Sequence, residues 1–583
     1  MLARTWQRAV YVVPTHDLAR QVQADLADQG LPTHYWREGP TEEDECPEMG
    51  LVQFFRAFGY LVRLGPCMKC PKRKRCTYRK VFTSKANKAS VVLIMTSWHL
   101  RRRDLWRLAA TANRDLVILD EDALAALTAP VELTVPHLLG FIEKLGAVRV
   151  LLSPHIEDDS DGEIFAWLTR RLRKPVEGDE ALLAVTDILR RAAGDILRAC
   201  AASGNGRWVR SENVLVQDVN DYDRGLLEDD DLFVRLLHCA YAVARRRKAL
   251  PNLFRSLRGL LLLPRPIHLS SGACRWTHRA NIPHDRHVLL LDATAEPEVV
   301  RGVLGRPVEV IDTPPIEQQA TIFQIMDKVG TRNGARKDME AEDGWIRRLA
   351  TEVARRHRQD RLLCVTFKQN EDELQRWLDR QHSGATVVHY GALRGLNTFS
   401  DYGAALILGR PMPNEAEMQL LAVAAFGEGA LSEDLKSPPL EWDMLTHRIG
   451  ADLWTVRRQR YGHPQWEAVW RHVVTGELMQ AIGRLRPLTN GATVYLATNE
   501  PLPETLEVTA VYAGEVFPAM ALSGRRSDFS GKVQAYAATV RQMQAEGLKP
   551  TNSGICARLG IKEPNGLRYR TLAARLLEGK PGE

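Results

Sequence analysis

The sequence predicts an α/β protein with two parallel-sheet lobes, and three observations predict it. Short, uninterrupted apolar runs occur at Ala9–Val13, Val91–Met95, Leu116–Leu119 and His287–Leu291. They lack the alternation of a strand with one wet face and read as parallel strands covered on both sides. The same signal returns beyond residue 320 at Arg361–Thr366, Ala385–His389, Ala404–Leu408 and Ala492–Ala497, with helical patterns between. Between the two sets, residues 123–285 carry long helical periodicities, at Val135–Leu145, Ile164–Leu172, Ala181–Ala201 and Leu232–Leu257. They read as a mainly helical insertion.

Taken in order, Ala9–Val13 opens a strand that runs through Pro14 into a helix over Thr15–Gln29. Leu18, Val22 and Leu26 lie at helical spacing there, and Gly30 ends it. Residues 31–85 read as irregular and basic, and they hold Cys46, Cys67, Cys70 and Cys76. Val91–Met95 precedes Thr96-Ser-Trp-His99, where Trp98 is either a base contact or a core residue. Leu116–Leu119 leads into Asp120-Glu121, and His287–Leu291 into Asp292-Ala-Thr294. Pro and Gly clusters at 411–414, 437–439 and 501–503 mark loops. Near the C-terminus, a helix, the segment Lys549–Gly560 and a helix over Leu567–Leu577 read as a helix-turn-helix or winged helix bearing Arg568, Tyr569, Arg570 and Arg575. A helical hairpin that only packs on the body has the same pattern.

At 583 residues the chain has room for about four domains. Hydrophobic content of 45% and charged content of 26% are those of a globular protein with large cores. No apolar run approaches the ~20 residues of a membrane helix. The N-terminal residues lack a signal peptide's apolar stretch, so a cytoplasmic location and no membrane partner are expected. Disulfides are then not expected, and Cys200, Cys239, Cys274, Cys364 and Cys556 read as core thiols. Net charge is +7, yet residues 67–107 hold thirteen Lys/Arg and one acid, and residues 525–583 hold eleven and five. The rest of the chain is therefore acidic. Two local basic patches read as polyanion contacts or as solvated surface.

Three groups of residues carry chemistry. Cys46, Cys67, Cys70 and Cys76 can hold one metal centre as four thiolates, and tetrathiolate sites suit zinc and iron–sulfur clusters alike. Asp120 and Glu121, at the end of an apolar strand, form a Walker B arrangement. The first carboxylate would hold Mg²⁺ on a nucleotide, and the second would polarise the attacking water. The competing reading is a helix N-cap at Asp120 or Asp122. Gln480-Ala-Ile-Gly483-Arg484-Leu-Arg486 offers two guanidiniums to the charge on a transferring phosphate, with Gln480 as a nucleotide or water contact. No G-x-x-x-x-G-K-[ST] loop occurs.

The order of these features resembles the superfamily-two helicases of the iron–sulfur XPD/DinG type. Val12-Val-Pro-Thr15 resembles motif Ia, Asp120-Glu-Asp-Ala123 motif II, and Asp292-Ala-Thr294 motif III. Leu363-Cys-Val-Thr-Phe367 resembles motif IV, Tyr390–Asn397 with Arg394 and Gly395 motif V, and Gln480–Arg486 motif VI. Motif II reads Asp-Glu-Asp-Ala instead of Asp-Glu-Ala-His, and motif III has Asp292 in place of Ser. The resemblance implies RecA-like lobes at 1–122 plus 286–318 and at 319–524. It also implies a [4Fe–4S] module at 40–85 and an arch-like insert at 123–285, and leaves a DNA-binding segment at 525–583 outside it. The implied activity is ATP-dependent helicase or translocase action on single-stranded or forked DNA. Basic residues such as Lys72–Arg75 and Arg101–Arg103 would guide the strand, and Arg394 and Gly395 would link strand contact to hydrolysis. In this family a phosphate loop precedes motif Ia, so the sequence reads as lacking its N-terminal Walker A segment. Residues 1–583 are accordingly expected to bind and hydrolyse ATP poorly. The alternative is a non-hydrolysing DNA-binding scaffold with a degenerate core.

Overall fold

The computed structural model describes residues 8–36, 46, 48–57, 67, 70, 90–101, 105–107, 110–120, 122–153, 159–172, 174–204, 206–215, 220–244, 253–263, 265–280, 282–311, 317–328, 330–341, 344–382, 384–393, 398–431, 438–449, 452–503, 505–520 and 529–578. The chain forms two compact units. One comprises residues 1–292, 302–305 and 419–437, and the other residues 293–301, 306–418 and 438–583.

The first unit holds β1 (Ala9–Val13), β2 (Thr33–Tyr35), β3 (Val92–Thr96), β4 (Leu116–Asp120), β5 (Thr128–Thr134), β6 (Arg207–Arg210), β7 (Pro266–Ser270), β8 (Ala273–Arg279) and β9 (His287–Leu291). Its main sheet is parallel throughout, in the order β2-β3-β1-β4-β9. β1, β3 and β4 are strands that bury both faces, and every residue of β3 is buried. Thr15 caps the helix His16–Asp28 by accepting from the Leu18 N–H at 3.2 Å. Arg114 locks the opposite end of the sheet. Its guanidinium donates to the carbonyls of Ala9 at 2.9 Å and Val91 at 2.8 Å, tying β1 to the residue before β3.

The insertion is less purely helical than its periodicity implied. Helices Val135–Leu152, Asp159–Leu172, Glu180–Ala201 and Asp230–Ala244 pack around Phe141, Leu145, Leu189 and Leu237. Beside them lies an antiparallel sheet, β5-β8-β7-β6. Two local signals for it were available: Leu133, Cys274 and Trp276 alternate with less buried neighbours, and Ser271-Gly272 is a two-residue hairpin loop. The single helix expected over Leu232–Leu257 is instead two, Asp230–Ala244 and Leu253–Leu262, with Pro251 between them in the sequence. The region read as irregular contains a helix, Met49–Ala57. Leu51, Phe54 and Phe55 fall on one face at helical spacing and enter the insertion's core, Phe55 against His238 and Phe54 against Tyr241.

The second unit holds β10 (Thr321–Ile325), β11 (Leu362–Thr366), β12 (Ala385–His389), β13 (Ala404–Leu408), β14 (Leu440–Ile449), β15 (Asp452–Tyr461), β16 (Thr493–Ala497) and β17 (Val508–Val511). Six form a parallel sheet in the order β12-β11-β13-β16-β10-β17. β10, β17 and the long antiparallel hairpin β14–β15 were not expected from the sequence. Gly409, at φ 84°, ends β13 where an added Cβ would lie 2.6 Å from the Gly330 carbonyl, and this close approach sets the direction of Arg410. The C-terminal segment is three helices instead of two around a turn: Phe529–Ala545, Asn552–Leu559 capped by Thr551, and Glu563–Glu578. Val533, Tyr536, Ile555, Tyr569 and Ala573 form their own small core. Among the described residues no helix is long and apolar enough to cross a membrane.

Candidate functional site

In the first unit, Asp120 closes β4, and Asp292 directly follows β9, the neighbouring strand. Two carboxylates therefore stand at the carboxyl ends of adjacent parallel strands, where open α/β sheets bind ligands. The Tyr11 hydroxyl of β1 donates to Asp120 Oδ2 at 3.3 Å. Burial raises the Asp120 pKa above the ordinary aspartate value; Tyr11's hydrogen bond opposes the rise, and the charge of Asp292 adds to it. The Tyr11 hydroxyl is pushed up as well, by burial first and by Asp120 second. Two carboxylates so placed form a site of negative charge. It fits Mg²⁺, which is usually held by one or two carboxylates together with phosphate oxygens. Asp122, two residues on, caps the helix Ala123–Leu127 at 2.9 Å, so of the two aspartates read as alternative caps it is Asp122 that caps. Glu121 lies outside the described residues.

The cysteine set is described in part. Cys46 and Cys67 are buried and Cys70 is half-buried, whereas Cys76 lies outside the described residues. Among the described residues, no three His, Cys, Asp or Glu side chains are grouped so as to hold a metal ion. The five remaining cysteines are buried core thiols, as expected, and burial pushes Cys239 and Cys364 up to about 12. His99 is buried and stacked on Trp36, with its pKa pushed down to about 3 by burial first. It is core, while Trp98 beside it is half-buried.

In the second unit, Gln480 and Gly483 lie on the helix Gly476–Gly483, and Arg484 caps its C-terminal end. One π-helical turn, Arg471–Thr475, precedes that helix, and such turns recur at functional sites. The Gln480 Oε1 atom is buried with no donor on it among the described residues. A methyl at Gly476 would lie 3.5 Å from Thr294 Oγ1, and Arg471 grips Glu296 with two bonds of 3.2 Å. Thr294 is thus packed beside the helix Gly476–Gly483. Arg394 and Gly395 lie outside the described residues.

Arg486 is exposed and sits at φ 54°, the single positive-φ residue other than glycine among the described residues. A side chain in the left-handed region costs about 1–2 kcal/mol. Its carbonyl accepts from Thr489 and Asn490 at 2.9 and 2.8 Å, which holds the strained turn in place. Arg486→Gly is expected to raise the stability of the chain by about 1 kcal/mol, read as a higher denaturation midpoint in urea. A midpoint that fell or stayed put would mean the turn stores no strain.

The sequence reading missed a charged cluster in this unit. Arg410, following β13, meets Glu500, beyond β16, at 3.2 Å. Arg458 of β15 meets the same Glu500 at 3.2 Å and also pairs with Glu467, and Trp470 donates to Glu500 at 3.3 Å. Glu500 and Arg410 are essentially inaccessible to solvent. The four charged residues are spread over 90 positions, from 410 to 500, so no local pattern announces them.

No family model and no curated protein sequence matches this chain. Among solved structures it is similar to one titled "XPD_Helicase", with a TM-score of 0.45 and 13% identity, over 85% of this chain and 88% of that one. It is also similar to one titled "Truncated XPD", with a TM-score of 0.28 and 13% identity, over 53% of this chain and 89% of that one. Similarity this low carries neither fold nor function across to this chain.

Proposed function

We propose that this chain is the core of an ATP-dependent DNA motor of the helicase class. Asp120 holds nucleotide-bound Mg²⁺, Glu121 polarises the attacking water, and Arg484 and Arg486 neutralise the transferring phosphate. The observation that carries the reading is the Asp120–Asp292 pair at the carboxyl ends of adjacent parallel strands, where the charge of Asp292 adds to burial in raising the Asp120 pKa. The four N-terminal cysteines hold a [4Fe–4S] cluster, with zinc as the alternative occupant. The basic residues around them and the C-terminal helices contact single-stranded or forked DNA. In that segment a short turn, 560–562, joins two helices; Arg570 is exposed, while Tyr569 is buried and serves packing. The opposing reading, a scaffold that binds DNA without hydrolysis, is favoured by the absence of a phosphate loop from the sequence.

The state of β9 supports a way to supply that loop. β9 is a parallel strand of apolar residues, yet among the described residues it stands at the sheet edge, half-exposed at its centre and exposed at both ends, with Leu291 45% accessible. Parallel strands are ordinarily covered, and a bare apolar edge invites pairing. A further parallel strand on β9 would bring a phosphate loop next to Asp120 and Asp292.

Asp120→Asn tests the cation site. Because Asp120's folded pKa is raised, ionising it opposes folding. That penalty is absent below the unfolded aspartate value of about 4 and develops as pH rises through the folded value. Asp120→Asn is therefore expected to melt higher than the unmodified chain at pH 7.5 and equally near pH 4. Millimolar Mg²⁺ should raise the unmodified chain's midpoint and leave the variant's unchanged. If Mg²⁺ acts equally on both, Asp120 is not the cation ligand.

A further inference from the structure

A cleft of about 410 Å³ lies in the first unit, away from the strand-end carboxylates' own sheet edge. Its base is the antiparallel sheet, where Arg265 precedes β7 and Arg279 ends β8. Its walls combine the aliphatic Leu127, Leu263, Ile282 and Val303 with the polar Thr277 and His284. Two guanidiniums thus line one cleft of mixed polarity, and among the described residues neither forms an ion pair. Arg265 donates only to backbone carbonyls: Leu263 at 3.1 Å, and Thr277 and Gly259 at a long 3.4 Å. Arg279 donates to the Gly302 carbonyl at 2.8 Å. A guanidinium has five N–H donors, so most of Arg279's are left to the cleft and to solvent. Gly305, at φ 67°, leaves it room, since an added Cβ would lie 3.0 Å from Arg279 Nη2. Burial alone lowers both arginine pKa values, with no neighbouring carboxylate to offset it.

Positive charge that is partly desolvated and unpaired is costly, and an anion entering the cleft would relieve that cost. The volume is that of a small-ligand site, and aliphatic walls beside convergent polar groups are the usual composition of one. Planar guanidiniums favour phosphate in particular, which they bind with two parallel bonds.

We infer that this cleft is a binding site for an organic phosphate of mononucleotide size, its phosphate on Arg265 and Arg279 and its flat body against Leu127, Ile282 and Val303. The ligand is either a free nucleotide or a nucleotide within a strand. The site is independent of Asp120, and it needs no divalent cation.

The test measures thymidine 5′-monophosphate by calorimetry and fluorescein-labelled twelve-nucleotide oligothymidylate by anisotropy, both without divalent cation. Arg279→Glu, at an accessible position, is expected to weaken binding about tenfold or more, and Arg279→Lys to recover part of it. Thermal melts of each variant report folding. Loss for the mononucleotide alone assigns the cleft to free nucleotides, and loss that includes the oligonucleotide assigns it to a strand. If the unmodified chain binds neither probe, or Arg279→Glu binds both as tightly as the unmodified chain, the inference is overturned.

Discussion

Residues 1–583 by themselves are expected to show almost no DNA-stimulated ATP hydrolysis. Supplying a strand and phosphate loop that pairs with β9 should raise turnover more than about 10³-fold. Removing one preorganised donor from a developing charge costs about 10²–10³ in rate. A phosphate loop contributes a lysine and an amide cradle together, so its absence should exceed that range. In the completed assembly, Arg484→Ala should return turnover to near the starting level, since a positioned arginine contributes about 10³–10⁵. Steady-state phosphate release, with and without single-stranded DNA, measures all three states. Robust turnover by residues 1–583 alone would remove the need for a loop from elsewhere, and an active Arg484→Ala assembly would remove the arginine's proposed role.

Replacing Cys46 or Cys67 with serine is expected to have the largest effect on stability. If the thiolates hold a metal centre, its binding energy is folding energy, of the order of 10–16 kcal/mol for structural zinc. The loss should spread into the insertion. Helix Met49–Ala57 lies between Cys46 and Cys67 in sequence, and its Phe54 and Phe55 are buried in the insertion's core. Elemental analysis of the unmodified chain should find iron with matching inorganic sulfide and a broad absorption near ~400 nm. Stoichiometric zinc would select the alternative occupant, and a metal-free folded chain would end the cluster proposal. Limited proteolysis should show the serine variants cleaved between residues 37 and 89 first.

The strands were legible because a parallel strand buried on both faces leaves an apolar run that nothing else in its neighbourhood leaves. β3 and β13 were found for that reason. The hairpin β14–β15 was not found, because its strands mix Trp442, Asp443, Arg458 and Arg460 with apolar residues and keep neither period. Helix Met49–Ala57 hid among basic and cysteine-bearing residues, although Leu51, Phe54 and Phe55 carry helical spacing. The helix Asn552–Leu559 reads as a turn in the sequence because Gly554 and Ser553 are weak helix formers, and Thr551 compensates by capping it at 3.2 Å.

The candidate residues divide in the same manner. The amino-acid sequence alone picked out Asp120, Gln480, Arg484, Arg486 and the four cysteines, because strand ends, helix ends and thiol spacing are local properties that side-chain chemistry announces. Only the tertiary structure set Asp292 beside Asp120, left β9 bare, gathered Arg410, Arg458, Glu467 and Glu500 into one buried cluster, and turned Arg265 and Arg279 into a single cleft. Those arrangements depend on which strands become neighbours. Strand pairing is chosen by burial summed over the whole unit, and no short stretch of sequence records that sum.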